Sequence, residues 1–147
     1  MNCITCKNRN CFIKNNFVTK QISEISKIKS VEKYKKGDYI YKKGSAPKNV
    51  YILLEGCLEI INRDKKGGKK DFYFVEPGEL FGYRSLLSEE NHNTSAKVYQ
   101  NSRICMLNKQ DFFQLFIYNR GLAKKFMKFI SDQLKIRQKR LEDKIKH

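Results

Sequence analysis

The sequence predicts a mainly β fold with flanking helices, a β-roll or jelly-roll barrel followed by a long C-terminal helix. Two observations carry this. Between Tyr34 and Leu107, short runs of β-branched and aromatic residues alternate with turn signals at roughly eight- to twelve-residue spacing. From Leu122 to the end of the 147-residue chain there is neither Pro nor Gly. A chain of this length predicts one domain with terminal extensions. The expected divisions are a cysteine-bearing arm at 1–16, the barrel with a leading helix at 17–110, and a C-terminal helical region at 111–147.

The elements follow in order. Phe17, Val18, Ile22, Ile25, Ile28 and Val31 recur mostly every three or four positions, which predicts a short amphipathic helix over 17–31. Tyr34 to Gly44 sets β-forming residues between glycines. Val50–Leu54 reads as an apolar strand, Glu55-Gly56 as the turn ending it, and Cys57–Ile61 as its resumption. Arg63 to Lys70, with Gly67-Gly68, reads as a polar hairpin loop, and Asp71–Val75 as the returning strand. Glu76-Pro77-Gly78-Glu79 is a tight turn before Leu80-Phe81-Gly82. Ala96–Tyr99 and Arg103–Leu107 are predicted as two further strands. Gly44, Gly56 and Gly78 stand where turns can demand a positive φ.

Asp111 is the expected N-cap of a helix through Phe112, Phe113, Leu115 and Phe116, and Gly121 marks a break or bend. Beyond it Met127, Ile130, Leu134, Leu141 and Ile145 fall near a/d spacing, with Arg137 at the intervening d position. The first two turns can pack on the chain's own barrel. The last three are too charged for that, so the seam predicts a parallel homodimeric coiled coil.

Lys and Arg number 31 against 15 acids, a formal charge of +16. That excess favours a polyanionic partner such as nucleic acid, or it merely solvates the surface of a Lys-, Asn- and Ile-rich chain. Residues 122–147 carry nine basic and three acidic residues, net +6, enough for weak, salt-sensitive, non-specific DNA binding. No apolar run approaches membrane-spanning length, and the first fifteen residues lack a signal-peptide core, so a cytoplasmic protein is expected.

Cys3, Cys6 and Cys11 form C-x2-C-x4-C, and Cys105 follows much later. In a reducing compartment such spacing points to metal or redox work before disulfides. The string admits an iron–sulfur cluster, zinc or no metal at all. Cys57 reads as a small core residue, and His92 and His147 as surface residues. The chain shows no nucleophile–base pair, helical metal motif or Walker loop, and two histidines do not furnish a cupin-type ligand set, so no enzyme is expected.

Lys36-Gly37-Asp38-Tyr39-Ile40, Gly44, Val50 to Gly56, Pro77-Gly78-Glu79-Leu80-Phe81-Gly82 and Ser95-Ala96 run in the order found in the Crp/Fnr family of bacterial regulators. The chain resembles the sensor half of that family over 34–147, which implies a cyclic-nucleotide-binding-like β-roll and a dimerisation helix. Family members that bind a cyclic nucleotide hold its phosphate with helix-start amides and one arginine, and its ribose with a glutamate. Here Tyr83 stands at the glutamate position and Asn93-Thr94-Ser95-Ala96 near the arginine, while Arg84 falls at the wrong end of the segment. The resemblance therefore argues against cyclic AMP. Gly82, Tyr83, Arg84, Ser85, Thr94 and Ser95 line a pocket for another ligand or are a relic of one.

The Fnr branch of the family holds a 4Fe–4S cluster with three N-terminal cysteines and one from the barrel. Cys105 resembles that barrel ligand, which implies Cys3, Cys6, Cys11 and Cys105 as the metal site, although the second gap is one residue shorter than in the best-known members. The implied function is an oxygen or redox sensor in a cytoplasmic transcription regulator, dimerising through its C-terminal helix, with Arg137 as a brake on dimerisation. The family's helix-turn-helix DNA reader has no counterpart in these residues, so the chain reads as a fragment or a stand-alone sensor. The alternative is a degenerate domain of the same fold that binds another small ligand or a protein partner.

Overall fold

The computed structural model describes residues 11, 25–63, 66 and 68–146. Six strands form one antiparallel sheet: β1 (Ser30–Tyr34), β2 (Tyr39–Tyr41), β3 (Asn49–Arg63), β4 (Lys69–Val75), β5 (Leu80–Phe81) and β6 (Ser95–Asn108). Among the described residues the helices are α1 (Tyr83–Ser88), α2 (Lys109–Tyr118) and α3 (Arg120–Lys146), besides a helical turn at 25–28. The hydrogen-bonded order is β1-β6-β3-β4, with β2 added to β6 and β5 to β3. The expected β-roll with flanking helices and a long C-terminal helix is present, and the sheet does not close, since its path ends at β1 and β4. The described residues through Phe112 form one compact unit and those from Phe113 onward a second.

Two long strands replace four short predicted ones. Gly56 does not end a strand. It sits inside the fifteen-residue β3 at φ +103°, where the register with β6 shifts between Leu53 and Leu58. The predicted strands at 96–99 and 103–107 are likewise one fourteen-residue strand, β6, whose polar Gln100–Ser102 stretch lies opposite the bulge. Bulges absorb extra residues without reversing the chain. The turn at Glu76–Glu79 forms as expected: the Glu79 amide donates to the Glu76 carbonyl at 3.1 Å, and Gly78 donates to Leu53 at 2.7 Å.

The core lies on one face of the sheet. Tyr51, Leu53, Leu58, Ile60, Phe81, Ala96, Val98, Ile104 and Met106 form one buried cluster with Val75. Period-two alternation sets their neighbours on the other face. On β4 this leaves Phe72 and Phe74 exposed. On β3 and β6 the outward face is covered as well, since Ile52, Ile61, Cys105 and Leu107 are all buried.

The helical expectations shift in detail. Residues 25–28 form a helical turn, but Val31, assigned to the leading helix, lies in β1. Asn108, not Asp111, caps α2: the Asn108 Oδ1 accepts the Asp111 amide at 2.8 Å, and its Nδ2 donates to Asp111 Oδ2 at 2.9 Å. The break falls at Asn119 rather than Gly121. Asn119 Nδ2 donates to the Leu115 carbonyl at 2.9 Å, while its own carbonyl accepts the Leu122 and Ala123 amides that start α3. Within the second unit Phe116, Phe126 and Phe129 form a chain of ring contacts at 5.0 and 5.8 Å. Farther along α3, Met127, Leu134 and Leu141 are exposed, and Ile130 and Arg137 are half-buried.

Candidate functional site

The segment between β5 and β6 carries the pocket residues expected from the sequence. Gly82 enters α1 at φ +76°, and a β-carbon there would meet the Tyr51 ring at 2.7 Å. Glycine is therefore required twice, by conformation and by space. Tyr83 and Leu86 are buried, so the tyrosine at the family's glutamate position packs inward. Arg84 is exposed, and Ser85 and Thr94 are half-buried. The Ser95 hydroxyl accepts the Lys43 amide at 2.9 Å, which ties the start of β6 to the loop after β2.

A column of rings occupies the interior beside Gly82. Phe81 stacks on Tyr51 at 5.1 Å, Tyr51 meets Tyr41 at 5.9 Å, and Tyr41 stacks on His92 at 3.8 Å. His92 was expected on the surface, yet it is 4% exposed. Its backbone explains this: the His92 amide donates to the Ser45 carbonyl and its carbonyl accepts the Gly44 amide, pinning it under that loop. Burial holds the imidazole below its ordinary pKa and burial likewise pushes the Tyr51 phenol up, so both rings stay neutral.

Of the four proposed metal ligands, Cys3 and Cys6 lie outside the described residues. Cys11 and Cys105 are buried thiols. Cys105 sits mid-sheet, with Val31 of β1 and Ile52 of β3 as its register partners. It lies between the core residues Ile104 and Met106, so its side chain belongs to the opposite, outward face. Among the described residues no three His, Cys, Asp or Glu side chains converge on a metal position. Cys57, expected in the core, is half-buried, and its thiol pKa is raised by burial and by Glu76 and Glu59. A thiol held protonated is a poor metal ligand. Cys11 and Cys105 are soft sulfur donors of the kind iron–sulfur ligation uses.

A second feature escaped the sequence reading. Beside the Gly56 bulge lies a hollow of about 680 Å³ whose rim includes Lys33, Lys35, Glu55 and Arg103. These residues are scattered along the chain, and the β1–β6–β3 register brings Lys33, Arg103 and Glu55 into one row.

Comparison with known proteins fits this architecture. A roll of antiparallel strands with a short helix between β5 and β6 is the architecture of the cyclic-nucleotide-binding fold. Residues 31–119 match the cyclic nucleotide-binding domain, and the chain belongs to that family. It is 25% identical over 124 residues to the "Anaerobic regulatory protein" of Bacillus subtilis (strain 168), covering 84% of this chain and 52% of that one. It thus spans about half the length of that relative. Its fold matches the Thermus thermophilus catabolite activator protein with a TM-score of 0.76 at 19% identity, over 88% of this chain and 61% of the other. The sensor domain of the regulator DNR from Pseudomonas aeruginosa aligns with a TM-score of 0.74 at 18% identity, covering 86% and 85% of the two chains. These relatives fit the Crp/Fnr sensor half that the sequence resembles.

Proposed function

We propose that the chain is the sensor and dimerisation module of a Crp/Fnr-type transcription regulator, responding to oxygen or redox state through Cys3, Cys6, Cys11 and Cys105 rather than through cyclic AMP. The column Phe81–Tyr51–Tyr41–His92 carries the reading, because it fills the interior beside the phosphate-binding segment and leaves the thiols as the input. Relatives named "Anaerobic regulatory protein" and "Transcriptional activator protein Anr" support the same direction. When bound, a 4Fe–4S cluster would supply the redox chemistry, and the chain's part is to present soft thiolates, one of them from the middle of β6. DNA contact would come from a helix-turn-helix domain outside these residues.

In the second unit the exposed Met127, Leu134 and Leu141 supply the seam of a homodimer, with Ile130 and Arg137 between them. The side chain of Ile145 lies outside the described residues. In a parallel dimer Arg137 faces its own copy, and that repulsion poises the equilibrium for a modest bias from the sensor.

Anaerobic purification followed by visible absorption and iron and sulfide analysis tests the reading. The expected protein is brown, bleaches in air, and becomes colourless in Cys105→Ser. A colourless, metal-free protein after anaerobic reconstitution sinks it, and bound zinc redirects it. Arg137→Leu is expected to raise the dimer fraction in air; an unchanged monomer–dimer equilibrium removes the brake.

A further inference from the structure

The hollow at the Gly56 bulge is built of fixed backbone under a cationic rim. A β-carbon on Gly56 would sit 2.6 Å from the Asn101 carbonyl oxygen, so β3 and β6 meet there at closest approach. The Ser102 hydroxyl fastens the contact. It accepts the Cys57 amide at 3.2 Å and donates to the Gln100 carbonyl at 2.6 Å. Asn101 Oδ1 in turn accepts the Lys36 amide at 2.9 Å, holding the end of β1 over the same point. These bonds fix the backbone beneath the rim, while the Lys33, Lys35 and Glu55 side chains stand exposed above it.

Charge on the rim does not balance. Lys33 stands directly opposite Arg103 in the β1–β6 register, and Glu55 is the β3 partner of Arg103. Like charges facing across an antiparallel pair oppose folding. The acid answers them weakly: Glu55 is 3.6 Å from Arg103 Nη1 with its side chain 62% exposed. Lys35 adds another cation to the rim. The neighbouring acid Glu32 accepts the Tyr34 hydroxyl at 3.3 Å. Arg103 Nε is shut off from water and has no acceptor. Among the lining residues one acid thus stands against three cations around a concavity of about 680 Å³, with Asp38 close by, its carboxylate accepting the Lys35 amide at 2.8 Å.

We propose that this hollow binds a small multivalent oxyanion, a phosphorylated or polycarboxylic metabolite. Its anionic group supplies the second acid that the rim lacks, taking charge-assisted hydrogen bonds from Arg103 and from the Lys33 and Lys35 ammonium groups. Tyr34 forms the wall beside them. The hollow is open to solvent and its charged residues sit close together, which suits a compact anion rather than an extended partner. The site uses none of the proposed thiol ligands and none of the 82–95 segment, so it stands or falls apart from the redox reading.

Titration calorimetry of the full chain at physiological ionic strength, with inorganic pyrophosphate and with citrate as probes, decides the matter. Saturable one-to-one binding of at least one probe is expected; pyrophosphate alone assigns the phosphorylated class, citrate alone the carboxylate class. Arg103→Gln is expected to weaken binding roughly tenfold or more, and Glu55→Gln to tighten it several-fold by removing the competing acid. Lys128→Gln on α3 controls for net charge and is expected to change affinity less than about twofold. Should Arg103→Gln fail to fold, the exposed Lys33→Gln carries the same expectation. No saturable binding of either probe, equal losses in Lys128→Gln and Arg103→Gln, or weaker binding in Glu55→Gln overturns the proposal.

Discussion

Two glycines at positive φ, Gly56 and Gly82, shape opposite outcomes in one β-roll. At Gly82 the space that glycine opens is taken by rings, Tyr51 lying 2.7 Å from the position of an added β-carbon. At Gly56 the obstacle is backbone and the Ser102 hydroxyl, and the concavity beside it stays open and charged. The first region is thus a filled core site. The second is a fixed backbone floor beneath a mostly cationic rim. A domain of the cyclic nucleotide-binding family has, in this chain, an aromatic interior beside its family segment and a cationic hollow elsewhere on the sheet.

The largest expected effect tests the rigid end. Gly56→Ala places a methyl 2.6 Å from the Asn101 carbonyl, on a residue at φ +103° that side-chain-bearing residues avoid. Neither strand can yield without breaking the β3–β6 ladder that flanks the bulge. A loss of about 3 kcal/mol or more is expected, measured as the shift in urea midpoint at constant m-value. A loss below about 1 kcal/mol would mean that the bulge is compliant and the rim not preorganised.

Gly82→Ala tests the filled end and should cost less. Its φ of +76° is nearer the left-handed well that alanine reaches for about 1–2 kcal/mol, and its obstacle is a ring that can tilt. A total of about 2 kcal/mol is expected in the same denaturation experiment. If Gly82→Ala proves costlier than Gly56→Ala, the ring column is the stiffer of the two regions and the contrast reverses.

How much of this the sequence disclosed depends on how local each feature is. The β-roll was legible because β-forming runs and turn signals are local, and the family residues sit on those turns. Gly56 marks a positive φ correctly, but glycine does not say whether the chain then reverses or bulges, and the polar Gln100–Ser102 stretch opposite it looks like a loop, so from sequence β3 and β6 each read as two strands. Asn108 and Asp111 are both good cap residues three apart, and only the observed hydrogen bonds choose Asn108. Arg103 could not be singled out, because its meaning comes from Lys33 and Glu55 across the register. His92 misled for the same reason. Its neighbours Glu89 to Asn93 are polar, while the ring that buries it, Tyr41, comes from much earlier in the chain.

The smallest expected effect uses His92 to read the filled region from inside. Burial lowers its folded-state pKa, so the folded protein resists the proton that the unfolded chain accepts near the ordinary histidine value of about 6.5. The unfolded state therefore binds more protons as the pH falls below that value, and stability declines in the same direction. Above it the contribution is fully present, and it is lost progressively on the way down towards the folded pKa. Melting temperature followed from neutral pH to mildly acidic pH is expected to show a modest fall from this group. His92→Phe keeps a flat ring against Tyr41, 3.8 Å away in the native stack, and removes the titrating nitrogen. The variant should match the native protein at acidic pH more closely than a loss of packing allows, and should lack this part of the pH slope. If native protein and His92→Phe keep the same slope, the imidazole is reached by water. The column beside Gly82 would then be open enough to admit a polar ligand, and the contrast with the Gly56 hollow would weaken.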